Sequence, residues 1–64
     1  MQMISATDVA IARAIRAGTL SVVERPSRFV GETYIAISDA SGLIEVQLSQ
    51  AAADERIAAI RAQI

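Results

Sequence analysis

Serine, threonine, tyrosine, aspartate, glutamate and arginine are the side chains with which this 64-residue chain could do chemistry; histidine, cysteine, lysine and tryptophan do not occur. The usual general base, the thiol nucleophile, the Schiff-base amine and the nitrogen and sulfur ligands of zinc are therefore missing together. Hydroxyl groups are present, but no His or Lys stands ready to activate them. Glu24 and Glu32 flank one loop, and Asp54 and Glu55 are adjacent. Adjacent helix positions diverge by about 100°, so the second pair cannot converge on one site. Asp39-Ala40-Ser41-Gly42 lacks the repeated acidic ligands of a calcium loop, and the three glycines are scattered rather than grouped to cradle a phosphate. The inventory predicts no enzyme, no catalytic residue, no metal site and no cofactor.

Recognition chemistry remains. All six basic residues are Arg, whose planar fork matches carboxylate and phosphate groups. Arg13 and Arg16 are spaced to share one side of a helix with Val9. Arg25, Arg28 and Phe29 fall together beside Pro26 and Gly31. They either form a projecting interaction tip, or Phe29 folds back to close the edge of the core. A formal net charge of −1 argues against broad, salt-driven binding to nucleic acid, which needs a basic face. Nucleic-acid recognition through Arg13, Arg16, Arg25 and Arg28 is the alternative to protein recognition.

These residues must be held by few elements. Ser5-Ala6-Thr7-Asp8 has the form of a capping box, Ala6 to Ala17 reads as a helix, and Gly18 sits where a helix ends. Thr19 to Glu24 is β-branched and reads as a strand, broken by Arg25-Pro26-Ser27-Arg28. Thr33 to Ser38 and Leu43 to Leu48 are two further strands, joined into a hairpin by the Asp39 to Gly42 turn. Ser49 is placed to cap a second helix, in which Ala53, Ile57, Ile60 and Ile64 recur as one stripe. The expected fold is α+β: helix, three-stranded antiparallel sheet, helix, with both helices on one face of the sheet. A chain this short predicts a single domain over residues 1–64.

Alternation along the strands assigns the two faces. Leu20, Val22, Ile35, Ile37, Ile44, Val46 and Leu48 are expected to meet the helices. Val23, Tyr34, Ala36, Leu43, Glu45 and Gln47 are expected on the other side. On the last helix, Ala51, Ala58 and Ala62 lie opposite the isoleucine stripe.

In order of elements alone, Ala12-Arg13-Ala14-Ile15-Arg16-Ala17-Gly18, then strands, then a Ser49-led helix with Ile57 and Ile60, resembles the small head–tail joining proteins of tailed phages. Those carry one two-stranded hairpin between their helices, whereas a third strand and the longer Arg25 to Glu32 loop set this chain apart. Small phage-encoded inhibitors of host defence enzymes fit the same outline. The resemblance implies a phage or mobile-element accessory protein.

Domains of about 60 residues bury only about 60% of their unfolded surface and usually need added support. Neither disulfide nor zinc can supply it here, so a homo-oligomer is expected, most simply a dimer. The outer sheet face around Val23, Tyr34 and Leu43 is preferred for the contact over the alanine face of the last helix. The expectation is a cytoplasmic protein that works by protein–protein contact, with no membrane segment. Its candidate partner-binding residues are Arg13, Arg16, Arg25, Arg28, Phe29 and Tyr34; its protein partner has no identity in the sequence.

Overall fold

A computed structural model describes residues 5–28 and 32–64. Its elements run α1 (Ala6–Ala17), β1 (Ser21–Pro26), β2 (Thr33–Asp39), β3 (Gly42–Gln47) and α2 (Gln50–Arg61). The sheet is antiparallel with strand order β1-β2-β3, so β2 is central and the other two strands are edges.

Local chemistry sets the ends of α1. The Ser5 hydroxyl accepts from the Asp8 amide at 3.0 Å, satisfying one of the orphan donors of the first turn. Gly18 closes the helix at φ 73°. The Gly18 amide donates to the Ile15 carbonyl at 3.2 Å and the Thr19 amide to the Ala14 carbonyl at 2.9 Å, the crossed pair of a Schellman end. This explains why β1 starts at Ser21 and not at the expected Thr19: the Thr19 amide is already used by the helix.

β1 also runs further than expected, through Arg25 and Pro26, which pair with Tyr34 and Thr33. A proline is tolerated there because it is the last residue of an edge strand. The Ser27 amide then donates to the Glu32 carbonyl at 2.6 Å and closes the base of the loop. The β2–β3 turn follows the sequence closely. Asp39 pairs with Gly42, and its carboxylate accepts from the Ser41 and Gly42 amides at 2.8 and 3.1 Å. In α2, the Ser49 hydroxyl caps the helix by accepting from the Ala52 amide at 3.1 Å.

Ile11 and Ala12 of α1, Ile35 and Ile37 of β2, and Ala53 and Ile60 of α2 form the core, with Ile15, Leu20, Val22, Ile44 and Ile57 packed against them. Both helices therefore cover the same face of the sheet, the one carrying Ile35 and Ile37. Ile64, expected in the buried stripe of the last helix, lies beyond α2 and is 40% exposed. Among the described residues, no helix is long and apolar enough to cross a membrane.

Candidate functional site

A bulge in β3 decides what each face of the sheet carries. Ile35 pairs with Gln47, Ala36 with Val46 and Ile37 with Glu45, but Ser38 pairs with Leu43, so Ile44 is the extra residue opposite the Ile37/Ser38 step. A bulge of this kind reverses the alternation beyond it. Ile44 and Glu45 both point to the helix side, and from there on the expected assignment is inverted. Glu45 and Gln47 lie under the helices, and Val46 and Leu48 lie outside. The sequence placed all four on the opposite sides.

Glu45 is received on the helix side by Arg56, which belongs to no motif in the sequence. Arg56 of α2 holds it in a two-pronged contact: Nε donates to Oε2 at 3.0 Å and to Oε1 at 3.2 Å, and Nη2 donates to Oε1 at 3.0 Å. The same Nη2 reaches Asp8 in the first turn of α1. Gln47 Nε2 completes the set by donating to Glu45 Oε2 at 2.7 Å. One guanidinium thus ties α2 to β3 and to α1. Arg56 keeps helical spacing with Ala53 and Ile60, three residues after one and four before the other, which marks it as inward-facing.

The titration of the two acids follows from these contacts. The hydrogen bond from Arg56 holds the Asp8 carboxyl below its ordinary value, against partial desolvation, with help from Ser5. Burial pushes Glu45 upward, but hydrogen bonds from Arg56 and Gln47 and the guanidinium charge outweigh it, and its value is also lowered. Arg56 is raised, first by its hydrogen bond to Glu45, against desolvation.

On the outer face, the cross-strand register arranges side chains in three rows. Val23, Ala36 and Val46 form the middle row. Ser21, Ser38 and Leu43 form the row at the turn end. Arg25 and Tyr34 begin the third, which Leu48 completes, one residue past the Ile35–Gln47 pair and in the same cleft as Tyr34 and Val46. The apolar side chains here are largely uncovered: Val23 is 43% exposed, Leu43 62%, Val46 44% and Leu48 88%. Ala36 is buried without belonging to the core cluster; on its own face it lines a cleft with Val23, Tyr34 and Leu43. Singly exposed apolar residues are ordinary, whereas a contiguous group on one sheet face is a candidate contact surface.

The remaining candidate residues are distributed around this face. Tyr34 and Arg25 lie in it, and Arg28 borders it, lining a cleft with Pro26, Ser27, Tyr34, Val46 and Leu48. Phe29 lies outside the described residues. Arg13 and Arg16 are exposed on α1 beside Val9, at the end that leads into the start of β1. Arg25 and Arg28 belong to the end of β1, so the four arginines form two separated pairs and not one strip. Ala51 and Ala58 are exposed on α2, and Ala62 is exposed at its C-cap. Glu24, which lies within β1, accepts from the Thr33 hydroxyl at 2.7 Å, and the Asp39 carboxylate is occupied by its own turn. Among the described residues, no group of three or more acidic, His or Cys side chains is placed to hold a metal ion.

The site is thus a feature of a small α+β domain, an apolar sheet face edged by Arg25 and Arg28. No protein-family model, no curated protein and no solved structure matches the chain.

Proposed function

We propose that this chain is a non-enzymatic protein-contact module and that its contact surface is the outer face of its sheet. One observation carries the reading. β3 turns Val46 and Leu48 outward and Glu45 and Gln47 inward, the reverse of what a sheet solvated on that side would favour. Such an inversion leaves a row of apolar side chains in water unless another protein surface covers them. Arg25, Arg28 and Tyr34 are of the residue types enriched at protein interfaces. A joining protein and an inhibitor of a host enzyme, the two roles suggested by element order, would both use a face of this kind.

The test is capture of partners from the native host, with bait variants that separate the surfaces. Val46→Glu should abolish the contact, whereas Ala58→Glu on the outside of α2 should leave it intact. Micromolar DNA or RNA binding in a gel shift at physiological salt, weakened by Arg25→Ala or Arg28→Ala, would overturn the reading in favour of nucleic-acid recognition.

A further inference from the structure

We propose that the outer sheet face is occupied by a second copy of this chain, related by a two-fold axis that lies in the interface and runs along the middle row Val23–Ala36–Val46. The proposal rests on the contact-face reading above and specifies its partner and its geometry.

The pattern of the face argues for it. Reading from β1 to β3, the rows are Arg25, Tyr34, Leu48; then Val23, Ala36, Val46; then Ser21, Ser38, Leu43. A two-fold perpendicular to the strands lays the first row on the third row of the partner and the middle row on itself. Leu48 then meets Leu43, Tyr34 brings its hydroxyl to the Ser38 hydroxyl, and Arg25 stands over Ser21 at the solvated edge. Every apolar position meets an apolar one and every polar position a polar one. Ala36 of each copy falls at the centre, where a short side chain permits close approach. The other two-fold that stacks the same faces runs parallel to the strands. It sets Arg25 on Leu48 and Ser21 on Leu43, burying a charge and a hydroxyl against hydrocarbon.

Area agrees. Three strands about 4.8 Å apart and six residues rising about 3.4 Å each make a face of about 14 by 20 Å. With the relief of side chains, two such faces remove on the order of 1,000 Å² from water, which reaches the lower limit of specific interfaces. The facing strands need cross at only about 30°, as in other aligned sheet packings. The single-chain core is thin, with Ala12 and Ala53 among its six buried members, and a domain of this size gains support from association.

The absence of cysteine makes single introduced thiols clean reporters. Val46→Cys, treated with a short bis-maleimide, should give a covalent dimer, because Val46 lies on the axis. An equimolar mixture of Leu43→Cys and Leu48→Cys should cross-link between the two variants far more than within either one, since the two end rows are about 14 Å apart. Ala58→Cys should remain monomeric on denaturing gels. If Val46→Cys cross-links to Val23→Cys and not to itself, the axis is the parallel one and the proposal is overturned while the contact face stands. If none of the sheet-face thiols cross-links, the occupant is not a second copy. Partner capture with the Val46→Glu bait then decides separately whether the face is a contact surface at all.

Discussion

The two faces of the sheet are built on different principles although they share every strand. Ile37 and Ala36 are consecutive in β2, and both are nearly inaccessible, at 0% and 4% exposure. Ile37 is covered by two helices and locked among Ile11, Ile35 and Ile60. Ala36 lies on the other face and lines a cleft with Val23, Tyr34 and Leu43. The helix side is closed by packing and then pinned by Arg56, Glu45 and Asp8. The outer side has large apolar groups and a tyrosine, and among the described residues no helix or strand covers it. The faces thus differ in what closes them: one is packed under both helices, and the other leaves Val23, Leu43, Val46 and Leu48 exposed, which is why we propose it as the contact surface.

Substitutions that treat the faces differently sharpen this division. The largest effect on folding is expected inside: Ile37→Ala should cost about 2–5 kcal/mol through lost burial and the cavity left behind. A loss that large would leave a domain of this size mostly unfolded, visible in denaturant titration followed by circular dichroism. A value under about 1 kcal/mol would show that the helices do not seal this face.

Next comes the ion cluster. Arg56→Met should lower the melting temperature by about 5 °C, with Arg56→Lys between it and the native chain, because an ammonium cannot reproduce the two-pronged contact. The cluster also has a pH signature. Asp8 and Glu45 both titrate below their ordinary values in the folded state. Their contribution is therefore fully present above the unfolded carboxylate range and is lost as pH falls through the lowered folded values. Stability should decline below about pH 4, and Arg56→Met should flatten that decline. An unchanged acid limb in the variant would mean that the cluster contributes nothing.

The smallest effect on folding is expected outside. Leu48→Ser should change the stability of the dilute chain by no more than about 0.5 kcal/mol, because Leu48 is 88% exposed, yet it should weaken self-association. A large loss of stability at dilution would place Leu48 in the monomer's own core and erase the contrast between the faces.

The sequence discloses most where the determinants are local. Ser5, Gly18, Ser49 and the Asp39 to Gly42 turn act on amides within a few residues of themselves, so helix ends and the hairpin could be read directly. The helices' shared face followed from one apolar stripe on each. The facing of β3 could not be read in the same way. Ile44-Glu45-Val46-Gln47-Leu48 alternates cleanly, and alternation fixes that one set points in without saying which, once a bulge intervenes. The choice is made at a distance, by Arg56 eleven residues after Glu45 and by Asp8 in the other helix. The composition of the outer face was legible in part: Val23, Tyr34 and Leu43 were assigned to it, whereas Val46 and Leu48, its most apolar strip, were hidden by the same slip.

Whether a second copy covers the outer face is read from light scattering across a concentration series. The native chain should move toward twice its 6.8 kDa mass as concentration rises into the high micromolar range. Val46→Glu should hold the single-chain mass throughout while keeping its circular dichroism spectrum. A native chain that stays at the monomer mass at high micromolar concentration, or a dimer that Val46→Glu leaves intact, would contradict the account.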